Sequence, residues 1–494
     1  MAIELSNLTF TNEDDIVPAS GVEEIVNISI ANTLAGKDKI TGNGETLRDI
    51  LWFGLRTAGI YNKSNGTINT DNGDDEITGY GNMGIYNESN GTINTGNGRD
   101  KITGYASQTG SSKNNTLGVL NDGTINTDSG DDTISGYATG DYPAGVINSG
   151  SINTGNGDDN IIGDGASDGV VNARGGTINT GNGDDSIIGT SSQGSGITSL
   201  GYTDESGLST ISTINTGNGD DSIIGTTTGY GGGLGVFLSA INTGNGNDTI
   251  IGNGIYSGIF CGGDGIINTG DGNDIITASS GGIAIGGGVF GDPSSSKGTI
   301  KTGKGNDIIT GLAIFNNILG IIDTDAGNDS IIYYESFTNR GNVFLGEGND
   351  SIAADPGYYY FPYSSLENFG FIGTGDGDDL ITNTAVIYNQ GVIETGNGDD
   401  SIIVDKGFDG SGNVLLGNSK DYLKGFGSGN FNGGNGQDTL ELTSGSYTVG
   451  ISGTTVSFTK SGVIMQTSEF EKLIAGGTTY DFSSLTANQT IFVA

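Results

Sequence analysis

Sixteen aspartates stand in one repeated setting: Asp38, Asp75, Asp100, Asp132, Asp159, Asp185, Asp221, Asp248, Asp274, Asp307, Asp329, Asp350, Asp379, Asp400, Asp421 and Asp438. Two residues before each stands glycine, except at Asp421, where Ser419 takes the place. Two residues after each stands Ile in fourteen copies and Leu in the other two, Leu423 and Leu440. The stretch INTGNGDDSII at 214–224 shows the pattern. Glycine takes the left-handed backbone of a tight turn and leaves main-chain carbonyls unobstructed. Aspartate adds a hard carboxylate on a short side chain, and carbonyls with carboxylates in an irregular turn are what Ca²⁺ prefers for its six to eight oxygen ligands. The aliphatic residue two places on lies in the strand leaving the turn and points into a core. Each copy therefore reads as turn, metal ligand, strand and core anchor.

The rest of the composition narrows the chemistry. The chain has 494 residues, 94 of them Gly and 5 Pro, and a formal net charge of −40. So much glycine implies disorder or a repetitive fold, and 19 Tyr, 18 Phe and regularly spaced Ile argue for the fold. The acidity makes nucleic acid and anionic membranes poor partners and divalent cations good ones. With no His and only Cys261, zinc and haem sites of the usual kind and Ser-His-Asp or Cys-His catalysis are excluded. The N-terminal stretch MAIELSNLTFTNEDDIVPAS has neither a basic n-region nor an apolar h-region, so no cleavable secretory signal is expected. No run reaches the ~18 apolar residues of a membrane helix, and no membrane insertion is expected.

The repeat resembles the repeats-in-toxin, or hemolysin-type, nonapeptide Gly-Gly-x-Gly-x-Asp-x-aliphatic-x. GGNGQDTLE at 433–441 matches it at every position, and most other copies put Thr first, as in TGNGDDSII. Asp71, Asp128, Asp325 and Leu34 replace the second Gly, and LGNSKDYLK at 416–424 is the most altered copy. The resemblance covers residues 33–441. It implies a parallel β-roll in which Ca²⁺ sits between successive turns, held by main-chain carbonyls and by the Asp of both turns. Carried over position by position, the sixteen aspartates are its metal ligands. One departure is large: in the family the nonapeptides run back to back, whereas here the aspartates lie 17 to 37 residues apart. A second piece fills the intervals, as in GIYNKSNGTINT and GVINSGSINT. Each interval thus reads as a whole coil with a calcium turn on one edge only.

The expected fold is all-β: a right-handed parallel β-helix or β-roll solenoid with a small antiparallel β C-terminal cap. The expected parts are an N-terminal cap at 1–32, a solenoid of about sixteen coils at 33–441, and a C-terminal cap at 442–494. That last part resembles the uncleaved signal region of proteins exported by type I secretion. Coils of about 26 residues have room for three strands and those of 21 for two, so a taper is expected. Sixteen coils at about 4.8 Å make a rod about 75 Å long. Sixteen turns leave at most fifteen gaps, and fifteen divalent ions would bring −40 to about −10.

Other features have two readings. ETLRDILWFGLRTAG at 45–59, with the single Trp52, reads as a short helix or an apolar plug. DPGYYYFPYSSLENFGF at 355–371, with Tyr358, Tyr359, Tyr360, Phe361 and Tyr363, reads as a loop folded over the flank or as a contact spike. The Thr-x-Asn pairs Thr67/Asn69, Thr92/Asn94, Thr124/Asn126, Thr177/Asn179 and Thr213/Asn215 form a ladder comparable with ice-binding rolls or with ordinary solenoid surface. Cys261 reads as a small core residue.

A carboxylate pair would still serve glycoside hydrolysis, but little chain remains outside repeats and caps to house a catalytic domain, so no enzyme is expected. The chain also resembles cyanobacterial secreted surface and fibril-forming proteins of the oscillin type. The expectation is an extracellular, calcium-dependent structural protein that folds outside the cell and polymerises with itself into a fibre, surface layer or matrix. The alternative is a monomeric adhesin binding polysaccharide or ice.

Overall fold

The computed structural model describes residues 2–18, 23–44, 48–50, 54–108, 115–140, 142–204, 206–287, 296–355 and 365–494. The chain divides into two compact units. One comprises Met1–Phe260 with Gly265–Gly270 and Thr277–Gly281; the other comprises Cys261–Asp264, Asp271–Ile276 and Gly282–Ala494. Each is built of stacked coils whose strands form parallel ladders, as a solenoid of repeated coils requires.

In the first unit each coil contributes three short strands. The first leaves the aspartate turn, and its inward residues stack in one column: Ile77, Ile102, Ile134, Ile161, Ile187, Ile223 and Ile250. The second stacks Ile25, Ile60, Ile85, Val119, Val146, Val170, Ile197 and Leu234. The third, which leads into the next turn, stacks Ile68, Ile93, Ile125, Ile152, Ile178, Ile214, Ile241 and Ile267. These side chains are fully buried, each contributing about 2 kcal/mol of apolar burial. The second unit repeats the scheme with Ile309, Ile331, Ile352, Ile381, Ile402, Leu423, Leu440 and Leu473 in its first ladder.

The 21-residue coils depart from the two strands expected of them. The coil that runs from Phe371 has strands Phe371–Asp376, Leu380–Asn383 and Ile387–Asn389. Each pairs in parallel with its counterpart 21 residues on. Strands this short leave room for three turns, and the longer coils spend their extra residues on longer strands and corner insertions. Within 45–59 the described residues are strand and not helix: Arg48–Ile50 pairs antiparallel with Gly54–Arg56, and Ala58 opens the strand Ala58–Asn62. Trp52 lies outside the described residues, as do Tyr358, Tyr359, Tyr360, Phe361 and Tyr363. Within 1–32, Ile25–Asn27 stacks on Ile60–Asn62 and Ile30–Asn32 on Thr67–Asn69, so coil strands already occur there. Beyond 442 the chain folds into antiparallel pairs, with Gly445–Ser452 between Thr455–Lys460 and Thr490–Val493.

Two polar columns lie inside the coils. Asn62 Nδ2 donates to Asn87 Oδ1 at 2.7 Å, and the chain of bonds runs on through Asn121, Asn148 and Asn172. Thr154 Oγ1 donates to the Thr180 carbonyl, as Thr180 does to Thr216 and Thr216 to Thr243. Both satisfy the buried main chain at the corners, where strand ladders cannot.

The turns explain the glycines. Gly183 has φ +133°, and a β-carbon there would sit 2.0 Å from the Gly157 carbonyl oxygen of the preceding coil. Gly183→Ala therefore faces both backbone strain and a clash with main chain, and about 3 kcal/mol or more of destabilisation is expected. Chemical denaturation in calcium checks this; an unchanged midpoint would contradict the turn geometry. Where the second Gly is replaced, Leu34, Asp71, Asp128 and Asp325 adopt φ between 61° and 68°, the left-handed well that Asp tolerates.

Candidate metal centre

The repeat aspartates form a column in each unit, Asp38 to Asp248 in the first and Asp274 to Asp438 in the second. All sixteen are at most 2% exposed, because each side chain turns inward at the edge where the third strand becomes the first. Within each unit, Oδ1 of each rung accepts the main-chain N–H of the rung before it. Asp38 N–H donates to Asp75 Oδ1 at 2.7 Å, Asp159 to Asp185 at 2.8 Å, and Asp185 to Asp221 at 2.9 Å. In the second unit Asp307 N–H donates to Asp329 Oδ1 at 2.8 Å and Asp400 to Asp421 at 3.0 Å.

The other carboxylate oxygen is different. In Asp38, Asp75, Asp100, Asp132, Asp159, Asp185, Asp221, Asp307, Asp329, Asp350, Asp379, Asp400, Asp421 and Asp438, Oδ2 is buried and accepts no hydrogen bond. A desolvated, half-satisfied carboxylate costs several kcal/mol unless a cation or a proton meets it. Burial accordingly raises these carboxyls: to about 7 in Asp75, Asp132, Asp185, Asp350, Asp400 and Asp421. It raises them to about 6 in Asp100, Asp159, Asp329, Asp379 and Asp438. For Asp185 the nearby Thr180 hydroxyl and the bonded N–H pull the other way, and the charges of Asp159 and Asp221 add to the rise.

A hard divalent cation fits this donor set. Among the described residues no three acidic side chains converge on a single point. An ion between coils would therefore take carboxylates from successive rungs and fill its shell with main-chain oxygens. The turns present those oxygens in file: a β-carbon on Gly73 would lie 1.5 Å from the Gly36 carbonyl oxygen, and one on Gly98 1.5 Å from that of Gly73. Lacking a β-carbon, glycine lets successive turn carbonyls stack this closely.

A second, outer rank sits one residue earlier and runs the opposite way. Asp184 N–H donates to Asp158 Oδ1 and Asp220 N–H to Asp184 Oδ1, both at 2.9 Å. Asn349 N–H donates to Asn328 Oδ1 at 2.7 Å. These side chains are exposed, and Asn serves as well as Asp, so the rank holds register rather than charge.

The N–H ladder of the inner column begins one turn before the repeat pattern, at Asp15, which is partly exposed and whose own carboxylate accepts the Thr11 N–H. Asp15 N–H donates to Asp38 Oδ1 at 2.8 Å, and Ile16–Val17 stacks on Lys39–Ile40. Glu13 stands in the glycine position there, with its main chain against Gly36. The signal was the bare Asp-x-aliphatic of DDIV, without the glycine.

The Thr-x-Asn pairs occupy the outer side of the third ladder, stacked in register: Thr67, Thr92 and Thr124 in one rank, Asn69, Asn94 and Asn126 in the next. Asn94 Nδ2 donates to Asn69 Oδ1 at 2.7 Å and Asn215 to Asn179 at 2.7 Å. Cys261 is buried, as expected. Among the described residues no helix is long and apolar enough to cross a membrane.

No protein-family model matches the chain, and no curated protein matches its sequence. Among solved structures, the crystal structure of a hyperactive, Ca²⁺-dependent, β-helical antifreeze protein from an Antarctic bacterium is similar over 98% of this chain and 98% of that one. The identity is 16% and the TM-score 0.36, too low to bear on function.

Proposed function

We propose that the chain is a calcium-dependent structural protein, exported and then ordered by Ca²⁺ outside the cell, whose copies assemble into an extracellular fibre, surface layer or matrix. The observation that carries the reading is the file of buried, unbonded Asp Oδ2 atoms. The sixteen repeat aspartates and the turn carbonyls would hold the ions. Bound Ca²⁺ supplies positive charge to desolvated carboxylates and lets the coils close on one another. On this reading the chain has no catalytic role. Assembly follows from charge: at −40 like molecules repel, and ions filling the columns remove most of that repulsion. The test is a calcium titration followed by circular dichroism and sedimentation. A cooperative gain of β signal followed by large particles is expected; a β signal indifferent to chelator sinks the calcium reading, and particles indifferent to it sink calcium-dependent assembly.

One observation favours a second reading. The Thr and Asn ranks of the first unit stack in register into a polar face, interrupted at Ser151 and Ala240, which suits an ordered surface such as ice or a packed polysaccharide. Thermal hysteresis, or retention on an insoluble glycan, by a protein that stays monomeric in calcium would favour it over assembly.

A further inference from the structure

The column of carboxylates continues past the point where the repeat pattern stops. Asp421 N–H donates to Asp438 Oδ1 at 2.9 Å, as at the earlier rungs of this unit. Asp438 N–H in turn donates to Glu471 Oε2 at 2.8 Å, thirty-three residues on. Lys472 N–H returns to the Asp438 carbonyl at 2.9 Å, and Thr439–Leu442 stacks in register on Lys472–Ala475. Glu471 thus occupies the rung after Asp438, brought there by a coil that first detours through the antiparallel strands Gly445–Ser452 and Thr455–Lys460.

The oxygens around this rung converge. Asp438 is fully buried and its Oδ2 accepts no hydrogen bond. Glu469 adopts a left-handed backbone, φ 56°, which turns its carbonyl toward Gly433. A β-carbon on Gly433 would lie 2.0 Å from the Glu469 carbonyl oxygen and 2.9 Å from Asp438 Oδ2. A bare glycine therefore keeps open a space where a main-chain oxygen and an unbonded carboxylate oxygen meet, and Glu471 holds the main-chain N–H of the same Asp438 at 2.8 Å.

We infer that Asp438, the Glu469 carbonyl and Glu471 form a terminal divalent-cation site that fastens the C-terminal segment to the last repeat turn. The inference rests on the calcium reading above and adds two ligands that no repeat copy supplies. Ca²⁺ suits it better than Mg²⁺, because the donors come from an irregular turn and a longer glutamate arm, not an octahedral set. The ion joins chain on both sides of the antiparallel detour, so the segment from 443 to 475 orders with it.

Hydrogen exchange of the full chain tests this, with and without millimolar CaCl₂, in the wild type and in Glu471→Gln. The variant keeps an oxygen to accept the Asp438 N–H and loses only the charge. Calcium is expected to protect Thr439–Leu442 and Lys472–Ala475 in the wild type. In Glu471→Gln the calcium concentration that half-protects these strands should rise at least tenfold, while Ser186–Ser191 in the other unit responds as in the wild type. Restoration at higher calcium distinguishes a lost ligand from a folding defect, which calcium would not repair. An unchanged midpoint at the terminal strands overturns the inference alone; a wild type without calcium-dependent protection anywhere overturns the calcium reading beneath it.

Discussion

Asp185→Asn is expected to stabilise the metal-free protein and to destabilise the calcium-saturated one. The amide keeps an Oδ1 that accepts the Asp159 N–H, and the main-chain bond to Asp221 is untouched, so the ladder geometry survives. What changes is the second oxygen. Without metal, that atom is part of a buried charge with no hydrogen bond, and replacing it with a neutral group relieves about 1–3 kcal/mol of desolvation and like-charge repulsion. With calcium bound, the same replacement removes an anionic ligand and leaves the ion short of charge, a loss of similar or greater size. The triple variant Asp159→Asn, Asp185→Asn, Asp221→Asn should amplify both effects, with coupling between adjacent rungs. Paired denaturation curves in calcium and in chelator measure the two signs. Destabilisation by a similar amount in both conditions would mean that the column is an ordinary hydrogen-bonded turn and holds no ion.

Metal-free protein is expected to be more stable at pH 5 than at pH 8, the reverse of what most acidic proteins show. Burial raises Asp75, Asp132, Asp185, Asp350, Asp400 and Asp421 to about 7 in the folded state, against an ordinary carboxyl value near 4 when unfolded. Between those values the folded chain holds more protons than the unfolded one, so stability falls as pH rises through the window and is lowest above about 7. Acidification from 8 to 5 should recover a few kcal/mol per unit, on the order of 10 °C in melting temperature. Saturating calcium should reverse the trend, since the ion competes with the proton for the same oxygens and binds better as pH rises. Melting curves at both pH values, with calcium and with chelator, give the four numbers. A metal-free melting temperature higher at pH 8 would show that these carboxyls are solvated in the free protein.

How far the molecule was legible from its residues can be seen rung by rung. Asp185 and its fifteen counterparts were legible because a turn confined to a few residues must write its needs locally: glycine where φ is positive, carboxylate where an N–H awaits, Ile where the strand enters the core. Asp15 was not, since Glu13 and Thr11 replace the glycines and only the stacked register with Asp38 reveals the turn. Glu471 was further out of reach. Its place in the column depends on a hairpin detour whose length no period predicts. The 21-residue coils misled for a related reason: residue number bounds the strands a coil can hold, but how few residues a turn consumes is set by the neighbouring coils.

By itself, then, the sequence determined the turns and carboxylates that line one edge and the all-β solenoid character of the chain, because glycine, aspartate and isoleucine at fixed offsets have few other uses together. The tertiary structure decided which residues stack on which. That depends on hydrogen bonds between residues 17 to 37 positions apart, formed only once whole coils lie on one another. It decided, too, that within each unit the repeat carboxylates spend one oxygen on register, and that burial keeps water from the other.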